Sequence, residues 1–236
     1  MAMRTSLLLL LLTLCLSSFA QEQVIRLPDF PGDRYRGGSK SFFEHMGRNL
    51  IYPRGARDGG TVGMSILAFT LTSDARVVDI EIANSLSKDI DESILTVFSE
   101  VKDEFIATED ALPIRIYMPI TYTIEGANVL RVPIKDDLFV EEITVKSFGF
   151  SRSTVIPRSK LIDRMFDSME KGKHKKALRT VGQLIKRDPM NLDWYLKKIS
   201  IYKEMSDPAG ICQELTKIKE LLQHPVNPEL ISEYCQ

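Results

Sequence analysis

Few side chains in this sequence are suited to covalent or metal chemistry. The 236 residues include three cysteines and three histidines, and no two of them stand at a spacing that builds a site. No Cys-x-x-Cys occurs, so thiol–disulfide catalysis has no motif, and His45, His174 and His224 each stand without a second ligand. HExxH, Walker, GxSxG and dinucleotide-binding patterns are absent from the sequence. Carboxylates do cluster, at Asp89, Asp91 and Glu92 and again at Asp136, Asp137, Glu141 and Glu142. Neither group has the ordered spacing of an EF-hand loop. Paired carboxylates can also cleave glycosidic bonds, but helix capping and surface charge account for these more simply. The expectation is a protein that is not an enzyme and takes no metal and no cofactor. The catalytic alternative is a hydrolytic enzyme with an acid–base site that no motif marks.

The first 20 residues, MAMRTSLLLLLLTLCLSSFA, read as a cleavable secretory signal. Arg4 precedes an apolar run of about 13 residues, short of the roughly 20 needed to span a bilayer. Ser18 and Ala20 occupy the small-residue positions before cleavage at Gln21, and Cys15 leaves with the signal. Loss of Arg4 takes the 31 basic residues to 30 against 32 acidic ones, a mature charge of −2. That balance does not suggest a nucleic-acid partner, and no second apolar run has membrane-spanning length. The expected location is an extracytoplasmic compartment, as a soluble protein. Cys212 and Cys235, 23 positions apart, are the two mature cysteines. An oxidising compartment allows them to pair and tie down the C-terminus, and two separately buried thiols are the alternative.

Two periodicities divide the rest. Residues 21–41 are polar and rich in Gly, Pro and Arg, and read as a flexible leader jointed at Gly37–Gly38. Phe42, Phe43, Met46 and Leu50 recur at helical spacing. Residues 61–72 and 77–82 predict two strands joined at Ser73–Arg76, with Val78, Ile80 and Ile82 on one face. Ile90, Ile94, Val97, Phe98 and Val101 return to a helical period, capped by Ser87 or Asp89. A long strand follows, with Ile114, Ile116, Met118, Ile120, Tyr122 and Ile124 on one face and Arg115, Tyr117, Thr121 and Thr123 on the other. Pro119 cannot donate a ladder bond, which predicts an edge strand or a bulge. Residues 129–134 and 138–146 can add two more strands. Residues 42–150 thus predict a small α+β domain, an antiparallel sheet with a helix packed on one face. After a linker at 151–156, residues 157–236 read as an all-α region of four to five amphipathic helices, broken at Gly172, Asp188–Pro189, Asp207–Pro208 and Pro225.

The stretch NLIYPRGARDGGTVGMSILAFTLTSDARVVDIEIANS, residues 49–85, with the helix near Asp91–Phe98 and the strand PIRIYMPITYTIE at 113–125, resembles the C-terminal domain of TonB-type energy transducers. Tyr52, Pro53, Ala56, Gly60 and Gly63 match the start of that pattern, and Pro119, Ile120, Thr121 and Tyr122 match its final strand. Asp74–Ala75–Arg76 stands where the family usually has Asp-Gly. The resemblance implies a periplasmic domain that grips an outer-membrane transporter by accepting an extended peptide on a sheet edge. With its signal cleaved, the chain would have neither anchor nor Pro-rich spacer, so the peptide-binding use carries over rather than energy transduction. Arg115, Tyr117, Thr121 and Thr123 are then the candidate partner contacts; the alternative is that residues 129–146 cover the sheet edge and leave a structural domain.

Within the helical region, KGKHKKALRTVGQLIKRDPMNLDWYL resembles a tetratricopeptide repeat. Gly172 would let paired helices approach, Ala177 would sit at their contact, and Asp188–Pro189 would end the second helix. Residues 158–187 carry ten basic and three acidic residues, which favours an acidic protein, an anionic polymer or an anionic membrane surface. A solvated helix face explains the same asymmetry. The leading functional expectation is a non-catalytic periplasmic interaction protein that binds an envelope protein or extended peptide. The alternative is a structural accessory subunit of an envelope complex.

Overall fold

The computed structural model describes residues 25–26, 29–109, 111–125, 141–147 and 155–235. The expected signal and its cleavage point, the acidic pair Asp136–Asp137 and the expected strand at 129–134 lie outside the described residues.

Five strands form one mixed sheet: β1 (Ile25–Arg26), β2 (Gly63–Leu71), β3 (Val77–Asn84), β4 (Ile114–Ile124) and β5 (Ile143–Ser147). Antiparallel pairing runs β4–β2–β3, and both β1 and β5 lie parallel to β4 on its other side. The sheet is therefore mixed where an antiparallel one was expected, because two short segments far apart in sequence share one flank of β4. Three helices belong to this half: α1 (Gly38–Asn49), α2 (Arg54–Asp58) and α3 (Lys88–Ser99). Ser87 caps α3, its hydroxyl accepting from the Ile90 amide at 3.4 Å, with Asp89 and Asp91 in the first turn. The apolar faces of α1 and α3 bury Phe42, Met46, Ile90, Ile94 and Phe98 against the predicted isoleucine face of β4 and against Leu67, Phe69 and Leu71 of β2.

Residues 29–37 are packed, in contrast to the flexible leader expected over 21–41. Phe30 stacks on Phe42 with ring centroids 4.4 Å apart, and Tyr35 meets Phe105 edge-on at 5.1 Å. Arg34 is only 5% exposed, its guanidinium donating to the carbonyls of Thr72 and Leu112. Gly37 and Gly38, both at positive φ, turn the chain into α1. The leader looks polar in sequence because its ordering depends on three aromatic or cationic side chains, not on a period.

The alternation predicted for β3 fails for a definite reason. Residues 79–80 oppose the single residue Phe69, and Ala83 is a further insertion between the pairs Ile66–Asn84 and Leu67–Ile82. Asp79 takes φ 51° at the first of these bulges. Ile80 is consequently exposed, while Val77 and Ile82 pack towards the core.

Five helices follow: α4 (Arg158–Glu170), α5 (His174–Arg187), α6 (Leu192–Glu204), α7 (Pro208–Glu220) and α8 (Pro228–Tyr234). Asn191, Asp207 and Asn227 cap α6, α7 and α8 through their side chains. The helices repeat: α4 and α6 begin 34 residues apart, at Arg158 and Leu192, as do α5 and α7, at His174 and Pro208. The turns repeat too. Lys173 and Asp207 amides donate to the Ser168 and Tyr202 carbonyls, with Gly172 and Ser206 at positive φ just before them. Gly172 therefore serves the left-handed turn. A Cβ there would meet nothing within 4 Å, so it does not mediate the close helix approach expected of it. Ala177 is fully buried at the helix contact.

The helices do not hang free of the sheet. Met64, Ile66, Ala68 and Tyr117, on the face away from α1 and α3, form a second core with Leu221 beyond α7 and with Met190. Every residue of β2 is buried as a result. The order is helices, sheet, helices, with a shared sheet between two cores. None of the helices among the described residues is long and apolar enough to cross a membrane.

Candidate binding cleft

The flank of β4 expected to receive a partner strand is largely taken. Ile25–Arg26 pair with Ile114–Arg115, and Ile143–Ser147 pair with Ile120–Ile124, leaving only 116–119 without a strand partner on that side among the described residues. Pro119 lies in this gap. β4 is neither the edge strand nor the bulged strand that the proline predicted, since it pairs with β2 in unbroken register and only the opposite flank is open beside Pro119. The proposed contact residues are also committed. Arg115 donates to Thr70 Oγ1 at 3.3 Å, to the Asp79 carbonyl at 2.6 Å and to Glu81, and its guanidinium sits 5.5 Å from the Tyr117 ring centroid. Tyr117 is 8% exposed, within the second core. Thr121 Oγ1 is buried without a hydrogen-bond partner, and half-buried Thr123 stands opposite Lys146 of β5. Strand addition beside 113–125 is thus closed apart from the short gap. The other outer strand, β3, carries two bulges, a device that discourages edge pairing.

What the two halves do create is a cleft of about 660 Å³ between the end of β3 and helices α5, α6 and α7. Glu81, Ile82, Ala83 and Tyr117 line the sheet side, and Gly182, Lys186, Lys198 and Lys217 line the helical side. Lys186 donates from Nζ to the Leu86 carbonyl at 2.6 Å, a bond from α5 to the segment between β3 and α3. Lys198 donates to Glu214 Oε1 at 2.6 Å, and Lys217 Nζ is 3.6 Å from the same oxygen. Directly beside this junction, Gly63 approaches the Lys186 carbonyl so closely that a Cβ would lie 2.3 Å from its oxygen. None of these lysines was singled out by motif. The excess of basic residues over 158–187 was visible, but which of them turn to the sheet depends on how the halves dock.

Buried polar groups gather behind the cleft. Tyr52 packs edge-on against Tyr122, ring centroids 5.3 Å apart, and donates its hydroxyl to the Thr61 carbonyl. Burial pushes Tyr52 up to about 12 and raises Tyr122 further, the latter aided by Tyr52 and Asp91. Burial also raises the Asp91 carboxyl above its ordinary value, against the opposing pull of the Ser85 hydroxyl and the Lys186 ammonium. This group joins the start of α3, β4 and α5.

No protein-family model and no curated protein matches the chain. It is similar over part of its length to TonB. Two NMR solution structures of the Helicobacter pylori TonB-CTD (residues 179–285 and 194–285) show 21% and 20% identity, covering 40% and 36% of this chain and 92% and 90% of theirs. Their TM-scores are 0.31 and 0.29. At those values the likeness does not establish a family.

The remaining candidates stay apart. His45 Nε2 lies 3.0 Å from Glu100 Oε2, His174 Nδ1 lies 3.2 Å from Glu204, and His224 Nδ1 lies 3.1 Å from the Pro225 carbonyl. Among the described residues, no three His, Cys, Asp or Glu side chains gather at metal-binding distance. Cys212 of α7 and Cys235 at the end of α8 are joined in a disulfide, with Cα atoms 5.0 Å apart. It holds the seven-residue α8, whose Leu230, Ile231 and Tyr234 pack on the helical core. A helix this short has no stability of its own. Reduction, or Cys235→Ser, is expected to remove about 3 kcal/mol, chiefly by freeing the unfolded chain. Urea unfolding followed by Trp194 fluorescence with and without reductant measures this, and an unchanged midpoint would refute it.

Proposed function

We propose that the chain is a non-catalytic protein-interaction module, exported after cleavage at Ala20, that holds a partner in the cleft between β3 and α5–α7. One observation supports the reading above others: the cleft is built jointly by sheet and helices, and its charged groups are spent on the walls. Lys186 is held by a main-chain carbonyl, and Lys198 and Lys217 converge on one carboxylate. Such groups fix a shape and leave a ligand to be recognised by fit and charge, not transformed by a poised acid and base. The partner is an extended peptide or a segment of an envelope protein, an outer-membrane transporter among them. The 34-residue displacement of the helix pairs supports a tetratricopeptide-like repeat as the helical wall.

A second reading, an accessory subunit that braces an envelope complex, is favoured by the occupied flank of β4. Gly182→Trp separates the two. A Cβ at Gly182 meets nothing within 4 Å, and Gly182 lines the cleft, so a side chain there has room to leave the helix and an indole is expected to occupy the cleft. Partner capture from envelope extracts is expected to be lost with Gly182→Trp while the melting temperature is unchanged. Retention of the same partners by the filled variant would refute the cleft and favour bracing.

A further inference from the structure

Helix α5, HKKALRTVGQLIKR, contains no acidic residue. Its cations divide by contact. Arg187 donates to the Ile156 carbonyl and Lys186 to the Leu86 carbonyl, each at 2.6 Å. Lys175, Lys176 and Arg179 are exposed and form no ion pair among the described residues, though Lys176 acts electrostatically on Asp167 of α4. Lys175, Arg179, Gly182 and Lys186 succeed one another by four, three and four positions, so they share one stripe, opposite the buried Ala177, Val181 and Leu184. Lys175 and Arg179 are like charges one turn apart and repel each other. Lys175 also stands in the first turn, where the helix dipole disfavours a cation. Elsewhere this chain matches charges at the same spacing, as in Lys40–Glu44, Arg54–Asp58, Lys88–Glu92 and Lys171–Asp167.

The unmatched stripe leads into the cleft. Gly182 and Lys186 line it, with Lys198 and Lys217 on the facing helices. Of the acids nearby, Glu81 is paired with Arg115, Glu214 is buried beneath the two lysines, and Glu220 stands at the α7 rim. We propose that the α5 stripe and the cleft together bind an extended acidic segment of a partner protein, a proposal that rests on the cleft being the partner site. The dimensions agree. From Lys175 to Lys186 the helix rises about 16 Å, the length of about five extended residues. One helical i to i+4 step, about 6 Å, nearly equals two strand residues, about 6.6 Å. An extended chain with a carboxylate at every second position therefore sets its acids against this stripe and its intervening side chains away from α5, towards Ile82 and Ala83 of the sheet wall. A flat anionic membrane could touch Lys175 and Arg179 but could not enter the concave cleft.

The test uses the full mature chain and a short labelled peptide alternating glutamate with valine, with a glutamine-for-glutamate peptide as control, read by fluorescence anisotropy. The glutamate peptide is expected to bind at least about tenfold more tightly than the control, and to weaken as salt rises. Lys175→Gln with Arg179→Gln is expected to weaken it about tenfold while the melting temperature holds or rises slightly, since a like-charge repulsion and an unfavourable dipole contact are removed, and Gly182→Trp to abolish it. Equal binding of the two peptides, or binding indifferent to the double substitution, would overturn the proposal. So would capture of the protein by vesicles containing anionic phospholipid, lost with the double substitution, when the peptide does not bind. If the glutamate peptide fails while envelope capture still depends on Gly182, the acidic specificity is wrong and the cleft reading stands. If capture ignores Gly182→Trp, the cleft reading itself falls.

Discussion

Gly63→Ala is expected to separate the helical layer from the sheet and to lower stability by about 3–5 kcal/mol. Two independent terms contribute. Gly63 sits at φ 146°, a conformation open to glycine and strained for any other residue by about 1–3 kcal/mol. An alanine Cβ would also lie 2.3 Å from the Lys186 carbonyl oxygen, 2.9 Å from its carbon and 3.0 Å from Leu86 Cδ2. The nearest obstacle is backbone within α5, so no side chain can rotate out of the way, and overpacking of this kind typically costs about 1–3 kcal/mol. Relief requires α5 to retreat from β2, which loosens the Lys186–Leu86 bond and the core of Met64, Ile66, Tyr117 and Leu221. Trp194, the one tryptophan, lies in the helical half and reports on it alone. In the wild type, Trp194 fluorescence and far-ultraviolet circular dichroism are expected to trace one urea transition, because both halves share β2. In the variant, the two curves should part. Coincident curves at the wild-type midpoint would show that the close approach does not matter.

The residue pattern of β4 made one core legible. Its alternating isoleucines do face α1 and α3, since a period of two can describe a strand with one buried face. The second core was not legible, because Ile66 and Ala68 interleave with Leu67 and Phe69 as a continuous apolar run, and such a run does not say what covers its other side. Once the helical half covers that side, Tyr117 becomes buried and no longer faces solvent as the alternation of β4 predicted. The flank of β4 was legible in part. Residues 138–146 read as a further strand, and β5 (Ile143–Ser147) does cover that flank, but nothing local showed that it runs parallel, and β1 is only two residues long, too short for any period to announce. The cleft inherits both difficulties, since its walls come from segments about 100 positions apart, as the Leu86–Lys186 bond shows. Local signals served better where one residue does one job. Of the two caps offered for α3, Ser87 is the one used, and the break at Asp207–Pro208 is the start of α7, with Asp207 as its cap.

Glu214→Gln is expected to destabilise the helical half by about 3–5 kcal/mol, the usual consequence of removing one member of a buried ion pair. Glu214 has no solvent exposure, and Lys198, only 15% exposed, donates to its Oε1 at 2.6 Å across the α6–α7 contact. Lys217 approaches the same oxygen at 3.6 Å, while Oε2 has no hydrogen-bond partner among the described residues. The carboxylate is felt beyond the pair: burial first, then Glu214 and Asp188, raise the Tyr195 hydroxyl, which donates to the Pro189 carbonyl at 2.8 Å. Glutamine keeps the shape and one acceptor but leaves the Lys198 ammonium without its counter-charge in a largely dry contact. Lys198→Met combined with Glu214→Leu makes the complementary case. It replaces the pair by hydrocarbon of similar size, so neither a buried charge nor a cavity remains, and most of the loss should be recovered. Urea midpoints of wild type, Lys198→Met, Glu214→Leu and the double variant close the cycle and give the coupling directly. A Glu214→Gln midpoint within about 0.5 kcal/mol of wild type would mean that water already screens the pair. Because Lys198 also lines the cleft, the double variant isolates its second role: a protein as stable as wild type that binds the glutamate peptide more weakly would assign Lys198 to recognition as well as to the helix contact.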